Sequence, residues 1–264
     1  MNQPSQQSGT DHAAIEFRNV SYALENGHRI LHELNLEVKR GETLVLLGRS
    51  GSGKTTTLKL VNHLLAPSGG EVRVQGKSIA EWDVIRLRRS VGYVIQDVGL
   101  FPHFTVERNI GLVPAIEKWD SGRIQRRTTE LLQLVGLDSR LASRYPHQLS
   151  GGQRQRVGVA RALAADPPIL LMDEPFGALD PLTRVDLQRE FLELQKRLHK
   201  TVVFVTHDVR EALVLGSRIA LMADGRLLQV HSPGEFLASR DPVIRAYVDA
   251  FRMNGEPSAD RGRS

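Results

Sequence analysis

The 264-residue sequence contains no cysteine, which excludes disulfide bonds, thiolate catalysis and zinc sites built from cysteine. It also lacks long apolar runs: those at residues 44–47 and 169–172 fall far short of the ~18 residues that cross a bilayer. The first ten residues hold no positive charge and no apolar stretch, so we expect no secretory signal. These absences predict a protein that stays in the cytoplasm and spans no membrane by itself.

Aromatic residues make up only 5% of the chain, whereas 41% of the residues are hydrophobic and 25% are charged. This balance is typical of a globular protein and excludes a disordered polyampholyte or a collagen-like chain. The formal net charge is only +5. Arginine clusters at 86–89 and 123–127 lie on different predicted helices, so we interpret them as solvated helix faces and expect no nucleic-acid partner.

Polar segments rich in Gly, Ser and Pro stand at residues 1–12 and 253–264, and we expect both to be disordered tails. One domain is then expected over residues 13–252. Its first part, at 15–20 and 35–38, alternates apolar with polar residues, which predicts half-buried antiparallel strands. The domain therefore begins as a small β-layer.

Continuous apolar runs followed by helical periodicity predict the rest of the core. The runs are at 43–47, 169–172 and 202–205, and the helices that follow them are expected at 55–65, 182–198 and 209–215. This repeated strand-then-helix order predicts an α/β fold with a buried parallel sheet. The segment from about 106 to 165 has helical spacing and no strand pattern, so it predicts an all-helical insertion.

A phosphate-binding loop is predicted between the first apolar run and its helix. The pattern G-x-x-x-x-G-K-[ST] is matched, with Thr56 adjoining it, by Gly48, Arg49, Ser50, Gly51, Ser52, Gly53, Lys54 and Thr55. Glycines let backbone N–H groups face phosphates, and the helix N-terminus adds its positive end. We expect Lys54 to bridge the phosphates and the Thr55 hydroxyl to bind Mg²⁺. The alternative is a glycine-rich turn that only caps a helix.

Two carboxylates, Asp173 and Glu174, follow the apolar run at 169–172. Ligands of open α/β sheets lie at the carboxyl edge, so both side chains are expected beside the phosphate loop. We expect Asp173 to hold Mg²⁺ through water and Glu174 to polarise an attacking water. In the absence of the loop, the pair would equally suit a solvated turn.

A second helix start that suits an anion follows Leu149. Ser150 is the expected N-cap of a helix that reaches about residue 165, and Gly151 and Gly152 leave backbone N–H groups uncovered. One nucleotide is not plausibly enclosed by both sites of one small chain. We therefore expect this site to contact a nucleotide held elsewhere; an ordinary capped helix after a Gly-Gly turn is the alternative.

The segments GRSGSGKT, LSGGQ and ILLMDEP together resemble the nucleotide-binding subunit of an ABC transporter, and the likeness covers about residues 14–250. The resemblance implies a P-loop NTPase fold of ABC type, with ATP and Mg²⁺ as cofactors. It also implies a head-to-tail homodimer. In that dimer the ATP site of one subunit is completed by residues of the other, namely Ser150, Gly151, Gly152 and Gln153.

The resemblance assigns roles to further residues. Tyr22 matches the aromatic that stacks on adenine, and Gln96 matches the glutamine that reaches Mg²⁺ and the attacking water and couples to membrane subunits. Asp180 matches the loop that crosses the dimer axis, and His207 matches the switch histidine that contacts the γ-phosphate. The alternatives are a tyrosine that fills the β-layer, an N-cap before Pro181, and a polar cap at a strand end.

Segments 92–103 and 161–168 are similar to ATPases of osmoprotectant importers for glycine betaine, carnitine or choline. This similarity implies membrane permease subunits, indirectly a substrate-binding protein, and a peripheral location on the cytoplasmic face of the plasma membrane. An importer ATPase for another small solute, such as an amino acid or a polyamine, is one alternative. A non-transport ABC ATPase is the other, but the long coiled coils or tandem units that it needs are not evident.

Two departures from that group affect our expectations. Many of its members continue into a pair of CBS regulatory domains, whereas this sequence ends soon after Phe251, so we expect no ionic-strength sensing by such domains. Asp97 stands where a second glutamine is expected. Beyond it, the aromatic segment 101–104 predicts a surface that docks a helix of a permease; burial in the insertion's own core is the alternative.

Overall fold

The computed structural model describes residues 13–177 and 179–253, whose strands form two sheets. The strands are β1 (Ile15–Ala23), β2 (Arg29–Val38), β3 (Thr43–Leu47), β4 (Gly69–Val74), β5 (Lys77–Ser78), β6 (Val91–Val94), β7 (Ile169–Asp173), β8 (Thr201–Thr206), β9 (Arg218–Ala223) and β10 (Arg226–His231). The α-helices are α1 (Lys54–Val61), α2 (Val84–Arg89), α3 (Val106–Ile110), α4 (Leu112–Ile116), α5 (Ser121–Leu134), α6 (Gly151–Leu163), α7 (Pro181–Leu198), α8 (Val209–Leu215), α9 (Pro233–Ala238) and α10 (Pro242–Met253).

The smaller sheet is antiparallel, in the order β2-β1-β4-β5. In β1 the side chains of Ile15, Phe17 and Val20 are buried. A β-bulge between Phe17 and Val20 shifts the alternation by one residue. Both antiparallel strands that the alternating pattern predicts are therefore confirmed.

The larger sheet has the order β10-β9-β3-β8-β7-β6, in which β9 to β6 are parallel and β10 is antiparallel. Its two faces are both covered. Val45 and Leu47 of β3 pack on the side of α6, α7 and α8, while Leu44 and Leu46 pack on the side of α1 and the smaller sheet. Two covered faces explain why β3, β7 and β8 are continuous apolar runs, and the predicted parallel core is confirmed.

Between β6 and β7 the chain forms α3 to α6 with short 3₁₀ turns, and no strand occurs over residues 106–165. Helix α6 packs against α3 and α5 on this side and against β6 and α7 of the core. The predicted all-helical insertion is confirmed.

Some boundaries differ from the sequence-based expectations. Helix α1 ends at Val61 rather than near residue 65, because His63 adopts a left-handed conformation and the N–H groups of Leu64 and Leu65 both turn back to the carbonyl of Lys59. Helix α10 includes Met253, the first residue of the expected C-terminal tail. The expected tails otherwise fall at 1–12 and 254–264, outside the described residues.

Across residues 13–177 and 179–253, no helix combines the length and the apolar character that a membrane span requires.

Candidate active site

The loops after β3, β7 and β8 meet at the carboxyl edge of the larger sheet, because these parallel strands are neighbours. They surround a cavity of about 730 Å³. The cavity is lined by Ile30, Gly48, Arg49, Ser50, Gly51, Ser52, Gly53, Lys54, Thr55, Thr56, Gln96, Glu174, His207 and Tyr247. The structure thus brings the whole predicted phosphate loop together with Gln96, Glu174 and His207.

Two glycines of the loop are required by their surroundings. A Cβ atom at Gly48 would lie 2.2 Å from the carbonyl oxygen of Met222, so the loop needs the absence of a side chain there. Gly53 is the N-cap of α1 with φ of 96°, a conformation that L side chains rarely adopt. The first turn of α1 holds no acidic residue, so nothing on that turn opposes an anion.

The side chain of Lys54 folds back into the phosphate-binding loop. Its side chain is 4% exposed, and Nζ donates hydrogen bonds of 2.8 Å to the carbonyl oxygens of Gly48 and Arg49. Burial lowers the pKa of Lys54, while the nearby carboxylates of Glu174 and Asp173 raise it. The lysine therefore shapes the loop and carries a cationic group to the cavity.

Asp173 connects the phosphate loop to the sheet. Its Oδ1 accepts a hydrogen bond of 2.9 Å from Thr55 Oγ1, and its Oδ2 accepts one of 3.3 Å from the Tyr93 hydroxyl. Burial raises the pKa of Asp173, and both hydrogen bonds oppose that rise. A hydroxyl and a carboxylate are the hard oxygen ligands that suit Mg²⁺, which needs few of them because it keeps several waters.

The side chains of Glu174 and His207 are in contact at the wall of the cavity. His207 Nδ1 lies 3.1 Å from Glu174 Oε2, and the Glu174 backbone N–H donates to the carbonyl of Val205 at 3.0 Å. Glu174 has a φ of 44°, in the left-handed region. Such a conformation in a residue other than glycine is sparsely populated and often marks a functional site. The pair can orient a water and accept its proton.

The second predicted anion site does not line this cavity. Ser150 caps α6: its Oγ accepts the N–H of Gln153 at 3.2 Å, and Gln153 Oε1 accepts the N–H of Ser150 at 2.9 Å. Gly151 is exposed, whereas Gly152 is buried, with its would-be Cβ 2.7 Å from Thr183 Cγ2. The expectation that Ser150 caps a helix is confirmed, and within one chain its N-terminus is not part of the cavity.

Asp180 and Tyr22 are also absent from the cavity lining. Asp180 is the exposed N-cap of α7, and its Oδ1 accepts the N–H of Thr183 at 3.0 Å. Tyr22 is half-buried and packs against the core between the two sheets. Both local alternatives, the helix cap and the tyrosine in the β-layer, are thus realised, and a role at a nucleotide stays a prediction for each residue.

Two lining residues carry no sequence signal. Ile30 lies in β2, and Tyr247 lies near the middle of α10. An apolar strand residue and a tyrosine far along the chain belong to no motif. Only the packing of β2 beside β10 and of α10 onto α8 brings them to the cavity. Tyr247 also borders a second cavity of about 590 Å³, together with Arg49 and His207.

The aromatic segment after Gln96 lies on the surface. Phe101 is 41% exposed, Phe104 is half-buried, and their ring centres are 5.2 Å apart. His103 packs edge-on against Phe104 at 4.6 Å. The alternative that these rings fill the core of the insertion is therefore wrong for Phe101 and His103, which are exposed.

Comparison with known proteins assigns the chain to a family. The family model for ABC transporters matches residues 31–177, more than half of the sequence, and the chain belongs to this family. It is 47% identical over 247 residues to the choline transport ATP-binding protein OpuBA of Bacillus subtilis, covering 93% of this chain and 65% of the relative. It is 53% identical over 211 residues to the osmoprotectant import ATP-binding protein OsmV of Salmonella typhimurium, covering 80% of this chain and 55% of the relative.

The similarity to osmoprotectant importer ATPases that segments 92–103 and 161–168 predict is thus confirmed. The chain spans less than two thirds of the length of both relatives. Among solved structures, the dimeric post-hydrolysis state of the cassette MJ0796 bound to ADP and Pi has a TM-score of 0.74 and 36% identity. That match covers 83% of this chain and 98% of the cassette.

Proposed function

We propose that this chain binds ATP in the cavity of about 730 Å³ and hydrolyses it to ADP and phosphate. The observation that carries the proposal is the meeting of Lys54, Thr55, Glu174 and His207 in one cavity at the carboxyl edge of the parallel sheet. The similar cassette with ADP and Pi supports it. An open sheet edge with a glycine-rich loop and a helix N-terminus suits a polyphosphate.

The roles follow from the geometry. The loop N–H groups and the cationic Lys54 bind the phosphates, while the Glu174 carboxylate orients a water and accepts its proton as the oxygen attacks the γ-phosphorus. His207 holds Glu174 and contributes a second polar group at that phosphate. Thr55 and Asp173 would hold Mg²⁺, with Gln96 at the rim; when bound, the ion neutralises phosphate charge.

The proposal includes a head-to-tail homodimer, which the dimeric state of the similar cassette supports. In this arrangement Ser150, Gly151, Gly152 and Gln153 of one subunit face the nucleotide of the other. Asp180 lies at the dimer axis, and Tyr22 stacks on adenine. Gly151 at the start of α6 is exposed, and this end of the helix does not line the cavity of its own chain. Each charge-assisted hydrogen bond contributes roughly 1.5–3 kcal/mol, so a few per site can drive ATP-dependent association.

We extend the proposal to transport. The chain energises an importer for quaternary-amine osmoprotectants such as glycine betaine, carnitine or choline, as the names of its relatives suggest. Its partners are permease subunits and, through them, a substrate-binding protein, and it works at the cytoplasmic face of the membrane. The exposed rings of Phe101 and His103, with the half-buried ring of Phe104, form the surface on which a permease helix docks.

Two substitutions separate binding from turnover. Lys54→Ala is expected to weaken ATP binding about tenfold or more, because it removes the buried cation and two hydrogen bonds that shape the loop. Glu174→Gln should retain ATP affinity within about twofold and lower phosphate release about a hundredfold or more, because the amide cannot accept a proton. Nucleotide titration and phosphate release are measured on both purified variants; an active Glu174→Gln enzyme would remove that residue from its role.

Uptake by cells tests the transport part. Cells lacking the chain are complemented with the parent or with Glu174→Gln, and the uptake of labelled glycine betaine, carnitine and choline is compared with that of a labelled amino acid. We expect the parent alone to restore quaternary-amine uptake. Restoration of only the amino-acid uptake would replace the proposed substrate class while leaving the ATPase intact.

A further inference from the structure

The turn that follows Gln96 has an unusual backbone. Val98 has a φ of 55° and Gly99 a φ of 54°, both in the left-handed region. For a β-branched residue this conformation is a genuine outlier, because its Cβ crowds the neighbouring carbonyl. Such strain persists only where the surrounding structure enforces it.

The enforcing contacts come from one helix, α6. The guanidinium of Arg161 donates a hydrogen bond of 2.7 Å to the carbonyl of Gly99 and a second hydrogen bond to the carbonyl of Val98. The Val98 side chain also packs closely on Gly158, where a Cβ would lie only 2.6 Å from Val98 Cγ1. The turn is therefore held to α6 by two hydrogen bonds from the Arg161 guanidinium and by the contact of Val98 with Gly158, which has no side chain in the way.

The contact of Arg161 with the turn does not involve an ion pair. Burial lowers the pKa of Arg161, and no carboxylate of the described residues lies within ion-pair distance of it. Its protein partners are thus the carbonyl oxygens of a strained turn. Because the guanidinium is half-buried and donates to both carbonyls in its fixed fork geometry, the contact fixes the position of the turn relative to α6.

Both ends of the contact belong to the proposed ATP machinery. Gln96 lines the cavity two residues before Val98, and α6 begins at the Ser150 cap. We infer that Arg161 is a positioning residue, which fixes Gln96 to α6 so that Gln96 and the Ser150 end of the helix move as one unit. This inference rests on the proposed function.

The test uses lysine, which keeps the charge but cannot donate two hydrogen bonds in the fixed fork geometry of arginine. Arg161→Lys is expected to lower kcat for ATP hydrolysis about tenfold, because Gln96 is displaced, and to leave KM for ATP within about twofold. Arg156→Lys is the matched control on the same helix, because Arg156 donates to the carbonyls of Val135 and Gly136 instead. Arg156 also pairs with Glu190 at 2.8 Å, so any loss of stability in this variant should occur without loss of kcat.

A double variant and a second substitution exclude a general effect on folding. In a Gln96→Ala background, Arg161→Lys should lower kcat by less than about twofold further, since it acts through that glutamine. Gly158→Ala raises helix propensity yet places a methyl group against Val98, so it should reproduce the loss of kcat without loss of fold. An equal loss of kcat in both Gln96 backgrounds, or a normal kcat for Arg161→Lys, would overturn the inference.

Hydrogen exchange provides a readout that needs neither nucleotide nor metal. Amides of residues 95–100 should exchange faster in Arg161→Lys than in the parent, and at the parent rate in Arg156→Lys. Equal exchange of this segment in all three proteins contradicts the clamp. If the parent itself shows no ATP hydrolysis, the proposed function fails, and the exchange experiment still decides whether Arg161 holds the turn.

Discussion

Glu211 is a buried carboxyl group that joins the strand end before His207 to helix α7. Its side chain is 4% exposed; Oε2 accepts a hydrogen bond of 2.5 Å from Thr206 Oγ1, and Oε1 accepts one of 3.1 Å from Gln188 Nε2. Thr206 Oγ1 also accepts the N–H of Asp208 at 2.9 Å. Burial raises the pKa of Glu211, and the hydrogen bond from Thr206 opposes that rise. The ionised carboxylate is therefore costlier in the folded chain than in the unfolded chain.

This shift has a definite sign in a stability measurement. A folded-state pKa above the ordinary value of 4.5 means that the folded chain holds the proton more tightly, so the contribution of Glu211 is full at low pH and is lost as pH rises through the folded pKa. The free energy of unfolding of the parent, minus that of Glu211→Gln, should therefore fall as the pH rises above about 4.5. Denaturant unfolding at several pH values measures it.

Glu193→Gln is the control for the sign. Glu193 is exposed, and its hydrogen bond with Lys196 lowers its pKa. The free energy of unfolding of the parent, minus that of Glu193→Gln, should therefore rise with pH or stay flat. A difference for Glu211→Gln that rises with pH would contradict the interpretation that burial dominates at this carboxyl.

At the scale of elements, one asparagine of α3 holds the exposed aromatic segment. Asn109 is fully buried; its Nδ2 donates to the carbonyls of Phe101, Phe104 and Thr105 at 3.0–3.2 Å, and its Oδ1 accepts the N–H of Phe101 at 2.8 Å. These hydrogen bonds tie the loop to α3 through one side-chain amide. The rings are thus presented to solvent by a rigid support, which suits a docking surface.

Phe104→Asp tests that surface. Arg108 already lies over the Phe104 ring, with its guanidinium carbon 4.2 Å from the ring centre, so an aspartate there keeps a favourable neighbour and the fold should persist. We expect osmoprotectant uptake to fall about tenfold or more while the ATPase of the isolated chain stays within about twofold, because a charge replaces an apolar contact. Ile85→Asp, at another exposed apolar residue, is the control. Unchanged uptake in Phe104→Asp would reject docking at this surface.

At the scale of the whole molecule, the ATP site of one chain lacks the helix start at Ser150, and the proposed dimer supplies it from the second chain. The structure also decides which glycine is suitable for testing this. A side chain at Gly152 would meet Thr183 of its own chain at 2.7 Å, so its effect would be ambiguous. At Gly151 an added Cβ atom would come no closer than 3.8 Å to a neighbouring side chain, that of Leu179, and the residue is exposed.

Gly151→Asp is therefore expected to retain ATP binding in its own loop and to prevent both dimerisation and hydrolysis, because the carboxylate faces the partner's γ-phosphate. Light scattering with ATP in the Glu174→Gln background, where turnover is blocked, measures association. Gly234→Asp is the matched control and should dimerise normally. Gly234 lies near the start of the serine-capped helix α9, where an added Cβ atom would meet no neighbouring atom within 4 Å. Persistent ATP-dependent dimers of the Gly151→Asp protein would contradict the composite site.

The sequence by itself determined what depends on short stretches of chain. Backbone sterics and phosphate chemistry are encoded within eight residues of the loop that ends at Thr55, and the hydroxyl of Ser150 can cap α6 from local geometry alone. Apolar runs predicted β3, β7 and β8 because strands covered on both faces must be apolar throughout. Once parallel order is known, Asp173 and Glu174 necessarily reach the same sheet edge as the loop.

Only the tertiary structure decided which distant residues meet. Ile30 and Tyr247 reach the cavity, Arg161 reaches the turn at Val98, and Gln188 reaches Glu211 because helices pack on one common sheet, and no local pattern encodes such distances. The burial of Gly152 has the same origin, since it depends on the packing of α6 against α7. Local chemistry thus specifies the parts of the site, and long-range packing specifies their arrangement.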